Sequence, residues 1–197
     1  MIVFKPTSKE ELQTAITECL AVSVDCSTGP HGPIGSWDVS GVTDMSGIFN
    51  NARSFNGDIS KWDVSSATDM SHMFTYASAF DGDLSKWDVS SVTNMHGMFG
   101  YANSFNGIID NWDVSSVTDM GSMFTRARKF NGDISNWDVA SVSDMSYMLY
   151  EATSFSRTLC GQWHTSKAVK TGMLDGSPGK ISTGPCATDT NKPGNCA

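Results

Sequence analysis

Aspartate is the residue in this 197-residue chain with the clearest capacity for chemistry, because it recurs at a fixed interval. The chain contains copies of one sequence pattern, and we call the residues at equivalent positions of the copies a column. One column of aspartates directly follows a recurrent tryptophan, and a second column lies six residues further along each copy. The two columns are Asp38, Asp63, Asp88, Asp113, Asp138 and Asp44, Asp69, Asn94, Asp119, Asp144. Stacked carboxylates repel one another, so other groups must offset their charge.

A third column of carboxylates is the best candidate for a calcium site. It contains Asp58, Asp83 and Asp133, while Asp110 stands two places after Ile108, which breaks the column. Calcium takes clustered carboxylate and carbonyl oxygens, but this spacing matches neither an EF-hand loop nor a glycine-rich nonapeptide. For the first two columns a structural role is favoured, because aspartates at turns and helix starts accept backbone N–H bonds. We expect no other cofactor.

Catalysis and nucleic-acid binding have little support in these residues. The chain lacks a G-x-S-x-G elbow, a P-loop and an H-E-x-x-H motif. No repeat carries a unique acid in an apolar setting, which would raise the pKa for acid catalysis. The net charge of −8 disfavours nucleic acid, which requires a basic stripe. We therefore expect a non-enzymatic protein.

Positions that differ between repeats are better candidates for contact with a protein or glycan partner. Two such positions read Gly47, His72, Gly97, Ser122, Tyr147 and Asn51, Tyr76, Tyr101, Arg126, Glu151. A small basic patch surrounds Arg128. The predicted contact residues are His72, Tyr76, Tyr101, Arg126, Arg128 and Tyr147. Because His72 and His96 belong to different repeats and do not have the spacing of a ligand pair, we expect neither to bind metal.

The elements that must position these residues are copies of a 25-residue repeat. Five copies begin at Trp37, Trp62, Trp87, Trp112 and Trp137, and Trp163 follows one residue late. A fixed period of this length indicates units that bury their apolar faces by stacking on one another.

The second copy predicts a short helix followed by a strand. Ser66–Asp69 has the form of a capping box, and apolar residues from Ala67 to Ala77 follow at helical spacing. Asp81-Gly82 predicts a turn, and a strand is expected over 83–87. Methionine, phenylalanine and alanine columns are expected in the core. A methionine stripe also suits soft metals or promiscuous binding, but helical spacing favours core packing.

The ends of the chain are predicted to cap the stack. Thr7–Glu10 suggests a capping box before a helix that carries Leu12, Ala15, Ile16 and Cys19. All five cysteines lie toward the ends, at Cys19, Cys26, Cys160, Cys186 and Cys196. This placement suits disulfides that pin the caps, with buried thiols as the alternative and the pairing left open. No segment approaches the 18 apolar residues of a membrane span, and the N-terminus lacks the pattern of a secretion signal. The predicted boundaries are 1–36 for the N-terminal cap, 37–161 for five repeats, and 162–197 for a C-terminal cap or partly disordered tail.

WDVSSVTDM, MF and SFNGDIS resemble the repeats of BspA-like leucine-rich surface proteins and of the related mycoplasma-type lipoprotein repeat. The resemblance covers residues 37–161. It implies an α/β, leucine-rich-repeat-like, right-handed solenoid of strand-turn-helix units. It also implies an extracellular or cell-surface location and a role in adhesion or protein binding, with no catalytic residues. A calcium-dependent structural or assembly repeat is the alternative function.

Overall fold

The structure, a computed structural model, describes residues 3–184 and contains few regular elements. Helix α1 spans Lys9–Val22, a 3-10 helix spans Ile34–Ser36, and the short helix α2 spans Gln162–Thr165. Strands β1 (Thr158–Leu159) and β2 (Lys180–Ile181) pair in parallel. Residues 37–157 form turns and isolated bridges, without helix or strand.

The predicted helix and strand of the repeat are wrong. In the second repeat the N–H groups of Met70, His72, Phe74 and Tyr76 donate to carbonyls of the third repeat, at 2.8–3.0 Å. Between them, the N–H groups of Met73 and Thr75 donate three residues back, whereas that of Ser71 donates to the side chain of Asp69. An α-helix would commit every such group to a bond four residues back within the same segment. The next repeat therefore takes half of the donors that a helix would need.

Neighbouring repeats lie side by side in register. A parallel bridge links each member of the second aspartate column to its equivalent in the next repeat, from Asp44 through Asp144 to Val169. Such bridges place successive copies at the spacing of adjacent parallel strands. The handedness of this stack and its leucine-rich-repeat-like class stay predictions.

The predicted core columns are confirmed. The side chains of the methionine and phenylalanine columns are 0–1% exposed. The alanine column is equally buried, except for its first member, Ala52, which is half-buried. Phe55, Phe80, Phe105, Phe130 and Phe155 stack from repeat to repeat, with centroids 5.8–6.1 Å apart. Met73 and Met98 are fully buried in this core, which excludes them from a surface binding stripe.

Two polar columns also tie the repeats together. The indole N–H of Trp62 donates to the carbonyl of Ile34, in the preceding turn of the stack, at 2.9 Å, and the next three tryptophans repeat this bond. The side chain of Asn56 accepts the backbone N–H of Asp81 at 2.9 Å. The same contact recurs in each following repeat, where the backbone N–H groups of Asn106, Asn131 and Ser156 donate to the side chains of Asp81, Asn106 and Asn131, respectively. These bonds satisfy backbone groups that the turns leave unpaired.

Helix α1 covers the N-terminal end of the stack, as predicted, but it begins one residue later than expected. Ser8 is the N-cap and accepts the N–H of Glu11, whose carboxylate in turn accepts the N–H of Thr7 at 2.7 Å. Gln13 donates to the carbonyl of Ile48 at 3.0 Å. In later repeats the equivalent carbonyl, such as that of Met73, accepts an N–H group from the preceding repeat. The first repeat has no preceding repeat, and α1 supplies the donor instead.

The stack continues beyond the five predicted repeats. Tyr147 and Leu149 donate their N–H groups to Thr171 and Met173, in the pattern that joins earlier repeats. Residues that were predicted only as a cap or tail thus add part of a sixth repeat. A disulfide joins Cys19 to Cys26. Cys160 is also disulfide-bonded, whereas Cys186 and Cys196 lie outside the described residues.

Candidate binding surface

The first two aspartate columns have a structural role. In the first column, each Oδ1 accepts the N–H of the residue two places on, at 3.0–3.2 Å. In the second column, the corresponding bonds are 2.7–3.0 Å. Serine hydroxyls, followed by backbone N–H groups, lower the pKa of Asp88 and Asp113. These bonds offset the repulsion between stacked carboxylates.

The proposed calcium ligands form similar turns. Asp58, Asp83 and Asp133 accept the N–H of the serine two residues later at 2.9–3.1 Å. The serine hydroxyl is the main cause of the lowered pKa of Asp58 and Asp83. Asp110 is exposed and lines a groove with Asp133. Within residues 3–184 no three His, Cys, Asp or Glu side chains group as metal ligands. Calcium binding stays a prediction.

Three of the predicted contact residues lie together in one row. The rings of Tyr76 and Tyr101 stack with centroids 4.4 Å apart. The guanidinium of Arg126 lies 5.4 Å from the centroid of Tyr101, and that of Arg53 lies 5.8 Å from Tyr76. Glu151 follows Arg126 in the next repeat. We call Arg53, Tyr76, Tyr101, Arg126 and Glu151 the tyrosine–arginine row.

An ion pair ends the row. Arg126 Nε lies 2.8 Å from Glu151 Oε2, and Nη2 donates to Oε1 at 3.1 Å. This contact raises the pKa of Arg126 and lowers that of Glu151. A hydrogen bond with Glu151 also raises the pKa of Tyr150, whose ring faces Arg126 at 5.9 Å. The paired charges fix the guanidinium against two aromatic rings.

All residues of the row except Arg53 occupy a strained column of the backbone, which begins at Asn51. Asn51, Tyr76, Tyr101, Arg126 and Glu151 all have φ between 51° and 65°. Glycine adopts such angles without steric cost, and four glycines of the stack do so at Gly47, Gly97, Gly172 and Gly176. Tyrosine and arginine in this region cost about 1 kcal/mol or more each. The repeat therefore carries side chains at positions where glycine would relieve strain.

The other predicted contact residues lie beside the row or apart from it. Tyr147 is 46% exposed and meets Tyr150 edge to face at 5.8 Å. Arg128 is exposed, and its charge helps to lower the pKa of Glu151. The ring of His72 lies 5.2 Å from that of His96. Although these two histidines belong to different repeats, the stacking of the repeats brings their rings together.

Sequence reasoning did not select three residues of this surface, although Glu151 lies in a variable column that it named. Arg53, Tyr150 and Glu151 were not predicted to bind a partner, although each contacts a residue that was. The available signal was the period itself, because Arg126 and Glu151 occupy the same column in consecutive repeats. Side chains in one column lie on adjacent repeats and can therefore pair.

Comparison with known families agrees with this repeat architecture. A family model described as a Mycoplasma protein of unknown function, DUF285, matches residues 19–107 and 83–178. The two matches cover most of the chain, which therefore belongs to this family. No curated protein matches the chain, and neither does any solved structure. None of the helices between residues 3 and 184 has the length and apolar character needed to cross a bilayer.

Proposed function

We propose that this chain is a non-enzymatic binding module whose contact surface for a partner protein is centred on the tyrosine–arginine row. The observation that carries the proposal is the row itself: stacked Tyr76 and Tyr101, flanked by two guanidinium groups. Tyrosine and arginine are, together with tryptophan, the residue types enriched among the hot spots of protein interfaces.

The rigidity of the row also supports this function. Because the ring faces of Tyr76 and Tyr101 cover each other, each half-buried ring offers mainly its edge and hydroxyl to a partner. Arg126 is held by Glu151 before any partner arrives. Side chains that are already ordered lose little conformational entropy on binding, which favours affinity.

The electrostatics of the aspartates argue against catalysis. A carboxyl group that acts as a general acid near neutral pH needs a raised pKa. Eight aspartates between residues 3 and 184, among them Asp83 and Asp113, have a lowered pKa instead. Such groups stay ionised and act as hydrogen-bond acceptors.

We further propose that the module acts outside the cell or at its surface, and that its repeats form a leucine-rich-repeat-like, right-handed solenoid. The resemblance to BspA-like surface proteins supports the location and a role in adhesion. The Cys19–Cys26 disulfide also supports it, because disulfides persist in oxidising compartments. The in-register parallel bridges support the solenoid, although its repeat is built from turns rather than strand and helix.

Selection from a random dodecapeptide phage library on the immobilised protein tests the contact surface. Tyr101→Gly removes a ring without adding backbone strain, because φ at this position is +59°. We expect most enriched clones to lose at least about tenfold in affinity, the effect of a hot-spot residue. The control is Ile108→Ser, which removes a side chain that is 64% exposed and lies outside the row.

Clones that bind Tyr101→Gly as well as the native protein, but lose binding to Ile108→Ser, would contradict the proposed surface. A glycan array probed with the same three proteins covers the alternative partner class. Binding to a glycan that depends on Tyr101, together with an absence of peptide clones, would replace the protein partner with a carbohydrate.

A further inference from the structure

A groove opens beside the N-terminal end of the row, where α1 has ended and the first repeat turns. Its volume is about 370 Å³, and Leu20, Val24, Ala52 and Phe55 provide its apolar lining. Phe55 is buried, whereas Leu20 and Ala52 are half-buried and Val24 is 64% exposed. A concave apolar surface of this size accommodates a large side chain of a binding partner.

Arg53 lines the same groove, and its positive charge favours a ligand that carries a negative charge. Two cations near the N-terminus have carboxylate partners: Lys5 pairs with Asp38 at 2.7 Å and Lys9 with Asp44 at 3.4 Å. Among residues 3–184 no carboxylate lies within ion-pairing distance of Arg53, whose guanidinium instead faces Tyr76. On a protein with a net charge of −8, this is a local cationic position.

We infer that the groove binds an extended segment of the partner protein that carries a large apolar residue next to an acidic one. The apolar side chain enters between Leu20, Val24 and Ala52, and the adjacent carboxylate pairs with Arg53. Because Arg53 belongs both to the groove and to the row, the segment continues onto Tyr76. This inference rests on the proposed function, since it specifies the chemistry of one end of the same surface.

Titration of ¹⁵N-labelled protein with three capped dipeptides, followed by amide chemical shifts, tests the inference. The probes are the N-acetyl amides of Leu-Asp, Leu-Asn and Gly-Asp. We expect Leu-Asp at millimolar concentration to shift the amides of Leu20, Val24, Ala52 and Arg53. Leu-Asn should bind more weakly by up to about fivefold, which is the upper limit for an exposed ion pair. Gly-Asp should produce no saturable shift.

Two variants and one control assign the effect to its residues. Arg53→Gln should abolish the difference between Leu-Asp and Leu-Asn, and Val24→Ser should weaken both leucine probes. Lys86→Gln removes another exposed cation, outside the groove, and should change neither affinity. An otherwise unchanged amide spectrum establishes that each variant is folded.

Equal affinities for Leu-Asp and Leu-Asn, or no shift in the groove at millimolar concentration, would overturn the inference. Shifts confined to Tyr76, Tyr101 and Arg126 would also overturn it, while leaving the proposed contact surface in place. Conversely, binding in the groove together with phage clones that ignore Tyr101→Gly would separate the groove from the row and refute the proposed function alone.

Discussion

Gly97 and His72 illustrate how a residue in one repeat restricts its neighbour in the next. Gly97 has φ +62°, and a Cβ atom added to it would lie 2.6 Å from Nδ1 of His72. Two separate costs therefore oppose a side chain at this position. One is the left-handed backbone, and the other is the imidazole that covers the glycine.

Gly97→Ala should lower the free energy of unfolding by about 2 kcal/mol or more, measured by urea denaturation. Gly32→Ala is the matched control, because Gly32 has φ +73° and open space around its Cα. Gly32→Ala should lower the free energy of unfolding by only about 1 kcal/mol, which is the cost of the left-handed backbone alone. Equal losses in the two variants would show that the His72 ring moves aside freely.

The pKa of His72 makes stability depend on pH. Burial, followed by the charge of His96, lowers this pKa below its ordinary 6.5, against the opposing influence of Asp69 and Asp119. The unfolded chain then binds a proton more readily than the folded chain. Stability is therefore lost as the pH falls below about 6.5.

We expect the thermal midpoint to fall between pH 7.5 and pH 5.5, and we expect His72→Gln to reduce that fall. His31→Gln provides the comparison, because His31 lies in the N-terminal cap beside Glu18. A pH dependence that survives unchanged in His72→Gln would assign the effect to other groups.

Among the structural elements, the tryptophan column shows that a one-residue shift in register removes a hydrogen bond between repeats. Trp87 donates its indole N–H to the carbonyl of Ile59 at 3.2 Å. Trp163, which comes one residue late, is fully buried, and no described residue accepts its indole N–H. The bridge from Asp144 to Val169 returns to the regular spacing of the repeat, so the displacement is local.

Trp87→Phe and Trp163→Phe should therefore lower the free energy of unfolding by different amounts. Both lose ring volume, but only Trp87→Phe also leaves a buried carbonyl without its donor. We expect Trp87→Phe to be the more destabilising by about 1 kcal/mol in urea denaturation. A greater loss for Trp163→Phe would contradict the role assigned to the indole hydrogen bond of Trp87.

The same elements show how far the sequence could be read. The period, the core columns and α1 followed from spacing, because burial imposes a regular pattern on apolar residues. The local conformation of the repeat did not follow, because His72 and Tyr76 have left-handed backbone that their residue types do not signal. The ion pair of Arg126 with Glu151 depends on contact between repeats, which is visible in sequence only after the register is known.

At the scale of the whole molecule, the N-terminal cap contains a covalent link. Cys19 is the last buried residue of α1, and its disulfide to Cys26 closes a short loop. Cys26→Ser with Cys19→Ser should lower the free energy of unfolding by about 2 kcal/mol. The paired variant is preferable to a reductant, because reduction would also attack the disulfide of Cys160. An unchanged midpoint in thermal unfolding would show that packing of Leu12 and Ile16 alone holds the cap.

Calcium distinguishes the two functions that the aspartate columns allow. A calcium-dependent stack would gain about 2.7 kcal/mol with the ion at 100 times its dissociation constant, which raises the thermal midpoint by a few degrees. We expect equal midpoints in calcium and in chelator, because Asp58, Asp83 and Asp133 each already accept a backbone N–H bond. A calcium-dependent rise that disappears in Asp83→Asn with Asp133→Asn, but persists in Asp63→Asn, would place the ion in the third column. The repeats would then be a metal-dependent assembly, and the tyrosine–arginine row would need a role within it.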